Sequence, residues 1–266
     1  MSERIRDSFK PGRKSLVPFV TAGDPHPDWT VDIMHALVEG GANLIEVGVP
    51  FSDPIADGPV IQQSSERAIE RGVTLSSVLA DVARFREGDA ETPVILMGYM
   101  NPIERFGATE LAAACAEAGV DGLLLVDCPP EEAGEVHDSL RAHDLDVIYL
   151  VAPTTDEGRL EKICARAGGF IYYVSFKGIT GANRLDADAL EGPVAQIRAR
   201  SELPVAAGFG ISDGASARAV AEHTDGVVIG SALVKQLAGA ASREEAVAMA
   251  RGFVASVRDS LDNSAS

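Results

Sequence analysis

Apolar, β-branched runs recur along the chain, and a helical pattern follows most of them. The runs cover 15–21, 43–49, 93–99, 121–126, 146–151, 170–175, 203–207 and 225–230. They are nearly continuous in apolar residues rather than alternating, which is how parallel strands covered on both faces read. Helical stretches lie between them at 29–39, 108–118, 131–142, 156–167, 193–200, 214–222 and 243–259. Glycines mark helix ends at Gly40-Gly41, Gly119 and Gly168-Gly169. Eight strand candidates in alternation with helices, over 266 residues, predict an α/β fold: a single-domain (β/α)8 TIM barrel spanning 1–266, with extra helical segments. The ends, 1–8 and 261–266, are expected to fray. An open doubly wound sheet is the rival, but no GxGxxG follows the first run.

Three connections exceed what a barrel needs: 50–59 with helical sequence on to Arg86, 176–190, and Gly230-Ser231. All follow the C-terminal ends of strands, the face on which barrel sites are built. Glycine turns after strands seven and eight, Gly208-Phe209-Gly210 and Gly230-Ser231, let main-chain N–H groups approach an anion, and Gly181 offers a third. Singly, each reads as a turn residue; jointly they read as a phosphate site.

Composition narrows the class. Acids outnumber Lys and Arg by 40 to 23, for a net charge of −17, which repels nucleic acid and anionic lipid. Only five lysines occur, so arginine carries most positive charge. That bias suits a salt-rich cytoplasm, where repulsion is screened, and predicts higher melting temperatures in molar KCl than at low salt. Cys115, Cys128 and Cys164 lack metal or disulfide spacing and read as buried small hydrophobes. No leader-like or membrane-spanning run is seen, so a cytoplasmic enzyme is expected.

The sharpest chemical signal is Glu46, an acid inside an apolar strand. On the barrel interior above Leu44 it would sit on an apolar floor, favouring its neutral form; the bland reading is a salt-bridged carboxylate. Asp57 lies eleven residues later in a loop braced by Pro50, Pro54 and Pro59; Asp53 and Asp57 both fit turn-forming acids as well. One of Tyr172 and Tyr173 must face inward and seek a carboxylate. Phe19, Met97, Tyr99, Ile61, Val126 and Phe209 would wall a slot for a flat ring, though each alone reads as core. No lysine lies within a strand and the five histidines do not cluster, so Schiff-base, metal and Ser-His-Asp chemistry lack support.

These residues resemble one family, the α subunit of tryptophan synthase. The carriers are the block from Pro18 to Pro25 (PFVTAGDP), the block from Glu46 to Gln62 (EVGVPFSDPIADGPVIQ), Tyr99-Met100-Asn101-Pro102, Ser175, Gly178-Ile179-Thr180-Gly181, Gly208-Phe209-Gly210-Ile211 and Gly230-Ser231-Ala232. The resemblance covers nearly the whole chain. It implies a lyase that cleaves indole-3-glycerol phosphate to indole and glyceraldehyde 3-phosphate by a retro-aldol reaction. It further implies that Glu46 is the general acid–base group and that Asp57 binds the indole N–H. Phe19, Ile61, Tyr99, Tyr172, Thr180, Gly181, Phe209, Gly210, Gly230 and Ser231 are then expected to bind substrate, the last two with Gly181 and Gly210 at the phosphate. The α subunit is expected to need no cofactor; pyridoxal phosphate belongs to the β-subunit partner of an α2β2 tetramer, which receives the indole. Phe176 departs from the arginine common at that position in the family, with Lys177 next. The alternatives are a stand-alone lyase releasing free indole, another phosphate-binding barrel of tryptophan or histidine synthesis, and a catalytically idle allosteric barrel.

Overall fold

The computed structural model describes residues 2–174, 187–208 and 210–263. Eight parallel strands close into a barrel in chain order: β1 (Ser15–Thr21), β2 (Ile45–Gly48), β3 (Val94–Gly98), β4 (Gly122–Leu125), β5 (Asp146–Val151), β6 (Ile171–Val174), β7 (Val205–Gly208) and β8 (Gly226–Ile229). β8 pairs back onto β1, so no edge is left exposed. The expected TIM barrel is thus the fold. Most strands are a residue or two shorter than their apolar runs, because the run ends turn into loops.

Two apolar layers hold it together. Val17, Leu44, Ile95, Leu124, Ile148 and Phe170 fill the interior with Ala206 and Val228, while a larger cluster lies between the strands and the helices. Phe19 pairs in register with Glu46, and Glu46 with Ile95, so the interior face continues upward from an apolar floor.

Glu3–Ser8 is a helix, and Ile5, wholly buried, joins the interior cluster and closes the base of the barrel. A single apolar side chain among charged neighbours gives no periodic signal, yet the barrel floor requires it. At the other end the last helix runs to Asp262 with Leu261 buried. The helical sequence after the 50–59 loop is two helices, Pro59–Glu70 and Leu75–Gly88. Gly72 at φ 82° breaks them, and a Thr74–Ser77 capping box starts the second. Met100–Phe106 is a further helix not anticipated, with Pro102 tolerated in its first turn. Cys115, Cys128 and Cys164 are free thiols, the first two buried, and burial pushes the Cys115 thiol up to about 12.

Candidate active site

The mouth of the barrel gathers Glu46, Asp57, Tyr99 and Tyr172. Glu46 is 2% exposed, above Leu44 and between Phe19 and Ile95 in register. Among the described residues no cation pairs with it, so the salt-bridged reading fails there. Its carboxyl is pushed up to about 8, first by burial and second by the charge of Asp57. At neutral pH it therefore holds its proton.

Asp57 sits in a loop held by its own bonds. The Asp57 N–H donates to Pro54 O (3.0 Å) and Ile55 N–H to Asp53 O (2.9 Å). Gln62 Nε2 donates back to Asp57 O at 2.8 Å from the helix that Pro59 opens. Tyr99, the residue after β3, completes the brace: its hydroxyl donates to Asp57 Oδ2 (3.0 Å) and accepts from Ala56 N–H (3.1 Å). Burial raises the Asp57 carboxyl to about 6, while the Tyr99 hydrogen bond works to lower it. Asp53 is exposed and bonded to Ser52 Oγ at 2.6 Å, which leaves it the turn-forming role. The two acids, indistinguishable by loop chemistry, are separated by what reaches them from β3.

Of the tyrosine pair, Tyr172 faces inward with the interior cluster and Tyr173 packs in the outer layer. Burial, then the charges of Glu46 and Asp57, raise the Tyr172 phenol above the usual tyrosine range. Its hydroxyl approaches Gly208 so closely that a Cβ there would meet it at 2.4 Å. Phe19 makes a similar demand: a Cβ at Gly48 would lie 2.5 Å from its ring, and one at Gly230 would lie 3.3 Å from its Cβ. Gly48 and Gly208 thus clear room for site side chains, a function that turn-based reasoning on glycine does not reveal. Phe19, Val49, Ile61, Met97, Tyr99 and Asp57 line a small apolar cavity beside β1–β3, and the Phe51 ring lies tilted against Tyr99 at 5.1 Å. Val126, also expected in the slot, is half-buried at the end of β4.

Gly208 pairs in register with Val228, so the turns after β7 and β8 lie side by side at this mouth. Gly210 takes φ 73°, a conformation that favours glycine, and Gly230 precedes the helix Ser231–Leu237 with exposed Ser231 at its start. Thr180, Gly181 and Phe209 lie outside the described residues. So does most of the 176–190 loop, including Phe176 and Lys177; its end is a 3-10 turn, Ala187–Leu190.

Two carboxyls in unlike environments, one protonated and one ionised near neutral pH, at the C-terminal mouth of a parallel barrel define an enzyme of the acid–base class. The family model for the tryptophan synthase alpha chain matches residues 5–262, and the chain belongs to that family. It is 56% identical over 263 residues to the tryptophan synthase alpha chain of Burkholderia lata, covering 97% of each chain. The crystal structure of tryptophan synthase subunit alpha from Legionella pneumophila superposes with a TM-score of 0.91 at 42% identity, covering 99% of this chain and 100% of that one. A structure of Mycobacterium tuberculosis tryptophan synthase gives 0.86 at 34% identity, covering 97% and 96%. The chain has the function of a tryptophan synthase alpha subunit, a lyase of tryptophan biosynthesis.

Proposed function

We propose that Glu46 and Asp57 together cleave indole-3-glycerol phosphate to indole and glyceraldehyde 3-phosphate. The observation that carries this is a buried carboxyl with no cation among the described residues, raised to about 8, beside a second carboxyl at about 6. Glu46, protonated, delivers its proton to C3 of the indole. The ring becomes iminium-like and accepts the electron pair of the breaking C–C bond. The ionised Asp57 accepts a hydrogen bond from the indole N–H and stabilises the positive charge that develops there. Glu46, now a carboxylate, takes the proton of the glycerol hydroxyl as that carbon becomes the aldehyde, and so regains its starting state.

Phe19, Ile61 and Tyr99 hold the ring, and Tyr172 stands beside the acid pair. Gly210, Gly230 and Ser231 hold the phosphate with main-chain N–H groups and a hydroxyl. Thr180, Gly181 and Phe209 are assigned to substrate on the resemblance alone. The whole chain, 1–266, is read as one domain.

Indole passes to a β subunit that carries pyridoxal phosphate, in an α2β2 assembly; the α chain itself needs no cofactor. The 50–59 loop supports this pairing, because Ile55 at its tip is 86% exposed, which is costly for a large aliphatic side chain without a partner. Among the described residues no helix is long and apolar enough to cross a membrane, and the cytoplasm is the proposed location. The salt-rich character of that cytoplasm rests on the acid excess and the scarcity of lysine, and is tested by the KCl melting series. Incubation with indole-3-glycerol phosphate, with and without a β subunit, tests the reaction. Slow indole release alone and faster turnover with the β subunit is expected. Release unaffected by a β subunit favours the stand-alone lyase, and no indole in either case overturns the assignment.

A further inference from the structure

A groove of about 740 Å³ lies at the base of the barrel, at the opposite end of the strands from the acid pair. Its walls are the segment that joins the first helix to β1 and the turns that lead into β7 and β8. Phe9, Pro11, Leu203 and Pro204 give it apolar lining, and Arg6, Lys10, Arg13, Lys14 and Arg198 line it as well. Five cations at one groove are unexpected on a chain of net charge −17, and two of the five lysines are here.

The cations differ in how far they are committed. Lys14 Nζ donates to Thr224 O at 2.8 Å, and Arg198 pairs with Asp225 at 2.9 Å. The other Asp225 oxygen accepts from Val205 N–H at 2.9 Å, so that acid is already satisfied. Arg6 reaches Glu3 only at 3.5 Å and Asp7 at 3.9 Å, and Arg13 reaches Asp262 at 4.0 Å. Lys10 makes no ion pair among the described residues. Exposed pairs at such separations are weak and exchange readily for a stronger anion. Among the described residues Glu202 is the one lining acid that opposes this field without an ion pair.

The segment is shaped rather than loose. Arg13 N–H donates to Lys10 O at 3.3 Å across Pro11 and Gly12, and Gly12 has φ 81°. Proline followed by glycine in that conformation is a tight turn that sets Lys10 and Arg13 at its two ends, close together. Phe9 anchors the turn, with its ring 5.4 Å from Phe170 and against Gly226, where a Cβ would lie 2.8 Å from it.

We propose that this groove binds a small organic polyanion, a flat apolar body carrying two or more carboxylate or phosphate groups. The charged groups meet Lys10, Arg13 and Arg6, and the body lies over Phe9, Pro11 and Leu203. The site shares no residue with the acid pair or with the phosphate turns.

Amide NMR titrations at fixed ionic strength with benzene-1,3,5-tricarboxylate and with inorganic pyrophosphate separate this site from the mouth. The tricarboxylate should move the Gly12, Ser201 and Leu203 amide resonances saturably, and pyrophosphate should do so with at least tenfold weaker affinity for want of an apolar body. Lys10→Glu with Arg13→Glu, and separately the two alanine replacements, should weaken tricarboxylate binding tenfold or more. Any pyrophosphate response at Gly230 and Ser231 should be unchanged in these variants. Non-saturating changes at the base, or the parent's midpoint retained in both double variants, would overturn the proposal.

Discussion

At the base of the barrel Asp121 accepts four hydrogen bonds: from Ser2 Oγ (2.7 Å), Arg4 (3.1 Å), Arg86 (2.8 Å) and Val94 N–H (2.9 Å). At the mouth Glu46 meets no cation among the described residues. The two are equally buried, 3% and 2% exposed, so burial alone does not set their state. Asp146 repeats the pattern of the base, with Ser2 N–H at 2.6 Å and Arg141 at 3.0 Å. Asp24, after β1, shows that the mouth too can satisfy an acid: Arg67 grips both its oxygens at 2.7 and 2.8 Å. An acid that holds the fold is neutralised by fixed arginine. Glu46 is instead neutralised by its own proton, which remains available for transfer.

Isosteric amides break that comparison most sharply. Glu46→Gln and Asp57→Asn should each lower kcat by about a thousandfold or more, because proton donor and charge stabiliser act in the same step. Circular dichroism and melting should show an intact fold. Near-native turnover in either variant removes that residue from the mechanism. At Asp121 the outcome should invert. Asp121→Asn leaves Arg86, its side chain only 11% exposed, without its ion-pair partner. The expected cost is about 3–5 kcal/mol of stability by urea unfolding, with kcat of the folded fraction close to native. A loss of kcat without loss of stability at Asp121 would dissolve the division between the two ends.

The proton on Glu46 also makes stability depend on pH. The folded group titrates near 8 and the unfolded one near 4.5, so between those values the folded chain holds a proton that the unfolded chain has released. Stability therefore falls as pH rises through that window, and the loss is complete above about pH 8. Asp57 adds a contribution of the same sign between 3.8 and about 6. Glu46→Gln has no such proton to lose. Each tenfold difference in proton affinity between folded and unfolded chains is worth about 1.4 kcal/mol. The variant's stability should therefore exceed the parent's by a few kcal/mol at pH 9, with the gap shrinking toward pH 5. Parallel stability curves for the two proteins would show that Glu46 is ionised in the fold after all.

How much of this the sequence displays depends on the range of the interaction. The runs 15–21 and 146–151 become strands over those same residues, because continuous apolar β-branched residues have one solution in a covered parallel sheet. Glu46 stands out because an acid in such a run is costly without a reason. Asp57 does not stand out from Asp53, since Tyr99, which distinguishes them, follows a strand some forty residues away in the chain. Ile5 is equally hidden, a lone apolar residue whose meaning lies in the open barrel floor above it. The clearances at Gly48 and Gly208 follow from contacts between elements, whereas the helix break at Gly72 is a local turn with open space around it. The cationic groove is likewise assembled from residues 6–14 and 198–204, which sequence order keeps far apart.

Tyr99→Phe sharpens the comparison with the smallest change. Base-type acids are held by arginine, whereas Asp57 is held by a neutral phenol, which orients the carboxylate without cancelling its charge. Removing the hydroxyl deletes the donor to Asp57 Oδ2 and the acceptor for Ala56 N–H. A hydrogen bond to a charged group contributes about 1.5–3 kcal/mol, so kcat should fall about tenfold or somewhat more near neutral pH. The pH profile separates positioning from mere packing. In the parent, activity should rise through about pH 6 as Asp57 ionises and fall through about pH 8 as Glu46 loses its proton. Because the Tyr99 bond lowers the Asp57 value, its loss should move the acid limb upward while the basic limb stays. A uniform drop at every pH, with both limbs in place, would mean that Tyr99 only fills space.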